Sequence, residues 1–325
     1  MKKALVAGGG GFIGGHLVAA LRSQNIEVRA VDIKPLNEWH QVFPDVENIA
    51  DSNLEDIDEC MDAVDGISEI YNLAANMGGI SFIEHNKALC MLSSLINTHL
   101  LIAAREAEVD RYFFSSSACV YAQDRQRNPN ILGLRESDAH PADPEDGYGE
   151  EKLFAEAMCR HFYQDFGLET RVARFHNIYG PYGTWDGGRE KAPAAICRKI
   201  AKAKITGNHE IEVWGDGTQT RSFCYVSDCI RGIQAIMEAP YQPPLNLGSA
   251  EKVSINQLVE IVESIAGITC TRKYLVNAPK GVNGRNSDNT KFKKLHGWEP
   301  STPLVQGLRE TYTWIYAEVL KETMV

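Results

Sequence analysis

The chain has 325 residues, of which 44% are hydrophobic, and its formal net charge at pH 7 is −10. This length and apolar content suffice for a full hydrophobic core and favour two lobes. The acidic balance argues against nucleic acid and anionic membrane as non-specific partners, although a local basic pocket could still hold a phosphate-bearing substrate.

The first elements of the chain form a predicted βαβ unit. Residues 3–7 (KALVA) have the pattern of a short buried strand, and residues 8–11 that of a turn. Residues 12–23 are predicted as a helix and residues 27–32 (EVRAVD) as the next strand. The opening MKKALVAGGGG is not expected to be a signal peptide, because its apolar stretch runs straight into the turn.

The glycines of this turn point to a dinucleotide site. Gly8, Gly11 and Gly14 have G-x-x-G-x-x-G spacing, which allows a tight turn and a close approach of the backbone to a pyrophosphate. The helix that follows offers unpaired N–H groups at its start. Asp32, at the end of the second strand, can bond a ribose 2′-hydroxyl and would repel a 2′-phosphate, so NAD is preferred to NADP.

Strands and helices continue to alternate beyond the first unit. Residues 67–74, 111–117 and 170–177 are predicted as strands of the same parallel sheet, and residues 86–107 and 149–166 as helices. This alternation predicts an α/β fold with a doubly wound parallel sheet of the Rossmann type.

Two segments near the predicted crevice have open alternatives. Asp51 would contact the adenine amine or be a solvated loop acid. Leu73, Ala74 and Ala75 end a strand where small residues would let a cofactor lie close, or they serve helix–sheet packing.

The second half of the chain is predicted to form a smaller lobe. After Pro181 the glycine, proline and charge content rises and the regular alternation is lost. The predicted NAD-binding domain therefore comprises residues 1–178 with a return segment at 222–247, and the substrate lobe comprises residues 179–221 and 248–325.

Tyr148 and Lys152 are candidates for catalysis. At helical spacing they lie one turn apart and point to the same face, and the helix predicted at 149–166 begins directly after Tyr148. A tyrosine has a reference pKa of about 10, and a nearby ammonium group and nicotinamide cation would favour its phenolate. Such a tyrosine can take a proton from a sugar hydroxyl while the same carbon is oxidised. The apolar side of this helix is predicted from Leu153, Phe154, Ala157, Met158, His161 and Phe162.

Two observations concern compartment and membrane. No apolar run approaches the ~20 residues that a membrane helix needs. The eight cysteines have no C-x-x-C spacing, which indicates reduced, mostly buried thiols in a cytoplasmic protein and no disulfide framework or zinc site. No metal is therefore expected.

With the glycines, Ser117 and the Tyr148/Lys152 pair in this order, the chain resembles the extended short-chain dehydrogenase/reductase family of NAD-dependent epimerases and dehydratases. The resemblance covers nearly the whole length and implies an isomerase that remodels a nucleotide sugar with tightly bound NAD. Several stretches resemble the members that invert C3 and C5 of GDP-mannose, giving GDP-L-galactose and GDP-L-gulose: LAANMGG (73–79), SSACVY (116–121), RFHNIYGPYGTWDGGREKAPAAICRK (174–199), WGDGTQTRSF (214–223) and GRNSDN (284–289).

The resemblance implies roles for Cys119 and Lys191. Oxidation at C4 of a hexose makes the hydrogens at C3 and C5 removable, and inversion needs a base on one face of the ring and an acid on the other. A thiol with a reference pKa of about 8.5 fits the base of that pair, and an amine whose pKa is lowered by partial burial fits the proton donor. Alone, Cys119 would be a buried small hydrophobe and Lys191 a surface charge. Ser117 would bond the 4-oxygen beside Tyr148, or cap the end of its strand.

Together, the site predictions form three sets. The catalytic set is Ser117, Cys119, Tyr148, Lys152 and Lys191. The cofactor set is Gly8, Gly11, Phe12, Ile13, Gly14, Asp32, Asp51, Leu73, Ala74, Ala75, Tyr148 and Lys152. The substrate set implied by the resemblance is Gly78, Ser117, Cys119, Asn177, Glu190, Lys191, Ala192, Lys199, Gln219, Thr220, Arg221 and Arg285.

Alternatives to this activity are a 4-epimerase or 4,6-dehydratase of the same fold, or a non-catalytic NAD(H)-binding sensor. A dehydratase would need an acid in the segment around Ala118 and Cys119, which has none. The resemblance also implies a homodimer, formed through the 86–107 and 149–166 helices. Gly147 departs from the pattern, since an alanine is expected before the tyrosine.

Overall fold

Strands and helices alternate along the chain in the computed structural model, which describes residues 2–323. The helices of this range are α1 Phe12–Ser23, α2 Ile57–Val64, α3 Ile80–His85, α4 Lys87–Glu106, α5 Tyr148–Phe166, α6 Ala192–Thr206, α7 Val226–Glu238, α8 Ile255–Ala266, α9 Thr290–His296 and α10 Leu304–Thr323. The strands are β1 Lys3–Ala7, β2 Glu27–Val31, β3 Glu47–Ile49, β4 Glu69–Asn72, β5 Arg111–Ser117, β6 Glu169–Phe175, β7 Ile178–Tyr179, β8 Glu210–Trp214, β9 Thr220–Ser222, β10 Cys224–Tyr225, β11 Leu245–Leu247, β12 Lys252–Ser254, β13 Thr271–Leu275 and β14 Gly284–Arg285.

A seven-stranded sheet with the order β3-β2-β1-β4-β5-β6-β11 forms the centre of the molecule. All of its neighbouring strands pair in parallel. The strand order reverses between β1 and β4, and in such sheets the ligand crevice opens at the carboxyl ends of the strands beside the reversal. The prediction of a doubly wound parallel sheet is confirmed.

The predicted elements agree with this sheet to different degrees. The helix 12–23 and the strand 111–117 have the predicted bounds, whereas the strand predicted at 67–74 covers only Glu69–Asn72. The sequence prediction missed β3 and the short helices α2 and α3, because their periodic patterns are only three to eight residues long.

The second lobe shares its core with the first. It contains the β7–β10 and β8–β13 pairs and the three-stranded sheet β12-β9-β14. One buried cluster joins Val6 and Leu17 of the first βαβ unit to Ile200, Val259 and Leu308 of α6, α8 and α10. The strand β11, inside the predicted return segment, pairs with β6 at the edge of the central sheet. The domain boundaries themselves stay a prediction.

The buried side of α5 differs from the predicted apolar side. Lys152, Glu156 and Cys159 are buried, while Phe154 is 53% exposed. The prediction was wrong at Phe154 and at His161, which is also exposed, because the side of α5 that packs inward carries polar and charged residues, which an apolar pattern does not detect.

The helix α4 is long and apolar enough, by length and composition, to cross a membrane, which the sequence analysis did not expect. It packs against α2 and α5 in the described protein, and Ile96, Leu100 and Leu101 lie in the core under the sheet. Core helices of soluble proteins satisfy the same criterion. The eight cysteines are all buried and unpaired.

Candidate active site

A cavity of about 450 Å³ lies between the carboxyl ends of the central strands and the second lobe. Ser117 and Cys119 enter it from the end of β5, and Tyr148 enters from the first turn of α5. Lys191, directly before α6, and Arg221 of β9 line it from the second lobe. The cavity therefore brings together residues that are far apart in sequence, from Met77 to Arg285.

The start of α5 is fixed by Gly147. This residue has φ +67°, and a Cβ there would lie 2.9 Å from the Cβ of Lys87 on α4. A side chain would therefore be both strained and crowded. The N–H of Gly147 donates to the carboxylate of Glu150 at 2.9 Å, which caps the first turn next to Tyr148. The departure from the expected alanine thus has a local structural reason.

Tyr148 and Lys152 lie on one side of α5, as predicted, and both are buried. The Nζ atom of Lys152 lies 4.7 Å from the centre of the Phe114 ring and 5.6 Å from that of the Tyr148 ring. Burial raises the pKa of Tyr148 well above its usual value, the nearby Cys119 and Glu151 raise it further, and a hydrogen bond with Ser117 opposes the shift. The tyrosine therefore stays protonated until a positively charged group bound beside it stabilises the phenolate form.

Cys119 and Lys191 line the same cavity. Burial, followed by the nearby Glu145, raises the pKa of the Cys119 thiol, while Arg285 opposes that shift. Burial lowers the pKa of Lys191, and the neighbouring Cys119 raises it. Both shifts favour the neutral form of the group, which is the thiol at Cys119 and the free amine at Lys191.

Arg285 is buried beside the thiol. Its Nη1 atom donates to the Sγ atom of Cys119 at 3.5 Å, and its Nε atom donates to Oε1 of Gln126 at 2.7 Å. Its Nη2 atom forms an ion pair with Glu145. The sequence analysis missed Glu145 and Gln126, because nothing local indicates that an arginine about 140 positions away would contact them.

The predicted substrate residues surround the rest of the cavity, with one exception. Nε2 of Gln219 donates to the carbonyl of Trp214 at 2.9 Å, and its Oε1 atom is buried without a partner. The carboxylate of Glu190 accepts from Arg198 at 2.6 Å. The hydroxyl of Thr220 donates to the carbonyl of Pro129, and Thr220 is not among the cavity-lining residues. The other predicted members that line the cavity are Gly78, Asn177, Ala192, Lys199 and Arg221.

Positive charge collects at the second-lobe side of the cavity. The Nζ atom of Lys199 donates to the carbonyl of Glu212 at 2.7 Å, and burial together with Arg198 lowers its pKa. Nη1 of Arg221 donates to the carbonyl of Thr220 at 2.8 Å, and burial lowers its pKa to about 10. Cations that are partly stripped of water gain from binding a phosphate group.

The glycine turn after β1 fits a dinucleotide. A Cβ at Gly14 would collide with the carbonyl oxygen of Gly8, so the turn and α1 can approach this closely only without a side chain. Leu73 and Ala74 lie directly against Gly8. The carboxylate of Asp32 is buried near this turn and accepts from the N–H of Lys34 at 3.1 Å. An acceptor so placed suits a ribose hydroxyl.

The other predicted cofactor residues lie near this turn. The N–H of Ser52, next to Asp51, donates to the carbonyl of Asp32 at 3.2 Å, so the ends of β2 and β3 meet there. Asp51 itself is exposed. Phe12 and Ile13 form the first turn of α1. The structure thus gathers these residues at one edge of the sheet, and their contacts to a cofactor stay a prediction.

Comparisons with known proteins agree with this geometry. A sequence model described as the NAD dependent epimerase/dehydratase family matches residues 4–248. The chain is 43% identical over 319 residues to GDP-mannose 3,5-epimerase 1 of Oryza sativa subsp. japonica, covering 98% of this chain and 82% of that protein. It is 41% identical over 322 residues to GDP-mannose 3,5-epimerase of Arabidopsis thaliana, covering 98% and 84%.

Solved structures show the same fold. A UDP-glucose 4-epimerase of Thermotoga maritima with UDP-glucose has a TM-score of 0.86 and 23% identity, covering 99% of this chain and 100% of that one. A UDP-glucuronic acid 4-epimerase of Bacillus cereus, in complex with UDP-glucuronic acid and NAD, has a TM-score of 0.82 and 25% identity, covering 97% and 99%.

Proposed function

This chain belongs to the NAD-dependent epimerase/dehydratase family, and on that premise we propose that it inverts C3 and C5 of GDP-mannose through a transient 4-keto sugar. The products would be GDP-L-galactose and, when only C5 is inverted, GDP-L-gulose. The observation that carries the proposal is the cavity that places the Cys119 thiol and the Lys191 amine beside Tyr148 and Ser117.

The glycine turn and Asp32 would hold NAD, which would supply reversible oxidation at C4 of the sugar. Tyr148 takes the proton of the 4-hydroxyl, and the buried cation of Lys152 on the same side of α5 stabilises the phenolate. The hydroxyl of Ser117, which lines the same cavity as Tyr148, would hold the 4-oxygen. These residues assist the oxidation of C4 to a ketone and the later reduction of that ketone, so that no net oxidation results.

Cys119 and Lys191 exchange protons with the carbons next to the ketone. In the first inversion the Lys191 amine removes a proton from one face and the Cys119 thiol donates one to the other. The hydrogens at C3 and C5 of mannose lie on the same face of the ring, so the two groups act in the same roles in the second inversion, after the thiolate and the ammonium have exchanged protons with solvent. An amine base and a thiol acid agree with the directions of the two pKa shifts and reverse the roles expected from the sequence.

The GDP portion of the substrate would occupy the second-lobe side of the cavity. The cations of Lys199 and Arg221 line that side and can neutralise a diphosphate. Arg285 contacts Glu145, Gln126 and Cys119. Its main role is therefore at the thiol end of the cavity.

Incubation with GDP-mannose in deuterated water, followed by NMR of the products, tests the proposal. The expected result is deuterium at C3 and C5 of newly formed GDP-L-galactose, and at C5 of GDP-L-gulose. A 4-epimerase would leave both carbons unlabelled, a 4,6-dehydratase would release water, and a sensor would return the substrate unchanged. Any of these three results refutes the proposed reaction.

We also propose a homodimer formed through α4 and α5. Met91 and Leu92 on α4 are 47% and 45% exposed, and Phe154 and Phe166 on α5 are each 53% exposed. These two helices pack side by side, and their exposed apolar residues are the candidates for the dimer interface. Light scattering should give a dimer, and Leu92→Glu combined with Phe154→Glu should give a monomer. Leu132→Glu, at a loop residue that is 86% exposed, is the matched control and should stay dimeric.

A cytoplasmic location is proposed from the cysteines. All eight are buried and unpaired, which suits a compartment that keeps thiols reduced. Fractionation of the native cells, followed by detection of the intact chain, tests this location, and recovery from a secreted or membrane fraction would contradict it.

A further inference from the structure

Glu145 is linked to Cys119 by two separate contacts. Its backbone N–H donates to the carbonyl of Cys119 at 3.0 Å. Its carboxylate forms an ion pair with Arg285, whose other guanidinium nitrogens bond Cys119 Sγ and Gln126. The side chains of Glu145 and Arg285 are 13% and 7% exposed, so little water screens the pair.

Glu145 and Arg285 both line the cavity wall. The guanidinium is held in place on two sides, by the carboxylate and by the Gln126 amide oxygen at 2.7 Å. Its third contact is the thiol. A cation fixed in this way next to a sulfur would strongly favour the thiolate unless another charge balanced it.

Other titratable and charged groups also face the thiol. They come from the second lobe, from α5 and from α4: Lys191, Arg221, Tyr148 and Cys90. Among the charged groups that affect the thiol of Cys119, Glu145 is the carboxylate. Its negative charge counters the positive charges of Arg285, Lys191 and Arg221.

We propose that Glu145 is a positioning residue for Cys119, because it fixes Arg285 against the thiol and balances the guanidinium charge there. The inference rests on the proposed acid–base role of Cys119. With Glu145 in place the sulfur keeps its proton in the resting protein, as the first inversion requires. Without that carboxylate the unopposed guanidinium would draw the sulfur into its thiolate form, which cannot donate.

Alkylation of Cys119 by iodoacetamide over a range of pH, followed by peptide mass spectrometry, tests this directly. The alkylation rate follows the thiolate fraction and does not require epimerase activity. In Glu145→Gln, which keeps the shape and removes the charge, the pH of half-maximal rate should fall by on the order of one unit. In Arg285→Gln it should rise, since the carboxylate is then unopposed.

Two controls isolate the effect. Glu145→Asp keeps the charge and should stay close to the wild-type profile. Asp146→Asn removes the adjacent carboxylate, which is exposed and paired with Lys87 at 2.7 Å, and should also leave the profile unchanged. The alkaline limb of epimerase activity, above which the thiol has lost its proton, should move to lower pH in Glu145→Gln only.

A Glu145→Gln profile that coincides with the wild-type profile overturns the inference, as does an Arg285→Gln profile that is unchanged or shifted down. Either variant alone suffices if the other does not fold. Failure of the proposed function gives a different result, in which the wild-type protein leaves GDP-mannose unchanged while the two variants still shift the profile in opposite directions.

Discussion

Replacing Cys119 by alanine separates the two halves of the proposed chemistry. The Sγ atom lies in the cavity wall and has one hydrogen bond, from Arg285 Nη1 at 3.5 Å. Arg285 keeps Glu145 and Gln126 as partners when the sulfur is removed. The structural cost should therefore be that of an ordinary point substitution, about 1 kcal/mol of unfolding free energy.

The catalytic cost should be much larger. Losing one positioned acid–base group reduces the rate about 10²- to 10⁴-fold, which corresponds to ~3–5 kcal/mol of transition-state stabilisation. Tyr148 and Lys152 are untouched, so oxidation at C4 should still occur. The variant should then accumulate reduced nicotinamide when GDP-mannose is added, because the 4-keto sugar is no longer processed onward.

Two measurements check this expectation: deuterium incorporation by NMR, and absorbance of the reduced nicotinamide in the same sample. Cys119→Ser should behave like alanine, since a hydroxyl is a far weaker acid than a thiol. Cys90→Ala is the matched control, because this thiol on α4 is buried against Cys119 and Tyr148 but does not line the cavity. Wild-type incorporation of deuterium in Cys119→Ala would refute the assigned role.

Three further variants probe the framework around the cavity. Asp32→Ser should improve the affinity for NADP relative to NAD by on the order of tenfold, measured by calorimetry, because the buried carboxylate that repels a 2′-phosphate is gone; an unchanged ratio would contradict this role. Gly14→Ala should abolish NAD retention and lower the denaturation midpoint, because the new Cβ collides with the Gly8 carbonyl oxygen, and a variant that still purifies with NAD would disprove the close approach. Glu156→Ala should cost about 3–5 kcal/mol in denaturant unfolding, because Arg174 loses its bidentate partner at 2.7 and 2.8 Å inside the core. A loss below about 1 kcal/mol would show that the pair is not structurally important.

The sequence predicted the first βαβ unit well because its signals are local. Three glycines at fixed spacing, an apolar strand before them and Asp32 after them all lie within about thirty positions, and the helix 12–23 has the predicted bounds. The grouping of Cys119 with Lys191 came from the family resemblance, since no local pattern relates residues 72 positions apart.

The ion pair of Glu145 with Arg285 could not have been predicted in this way. It depends on β14 being brought beside β9 and then against the loop before α5, which is a property of the tertiary fold. Phe154 shows the opposite failure. Its hydrophobicity indicated burial, but the inward side of α5 is occupied by Lys152, Glu156 and other residues whose positions are set by chemistry and ion pairing.

The shared core has a practical consequence for anyone who would recombine this protein. The family match ends at residue 248, yet α10 packs on α6, and Trp314 touches the rings of Tyr182 and His40 at centroid distances of 5.5 Å. A chimeric protein joined at residue 248 would expose apolar surfaces on both sides of the cleft. To exchange substrate preference between such enzymes, individual cavity residues should therefore be substituted. The carboxyl-terminal helices should stay with their native partners.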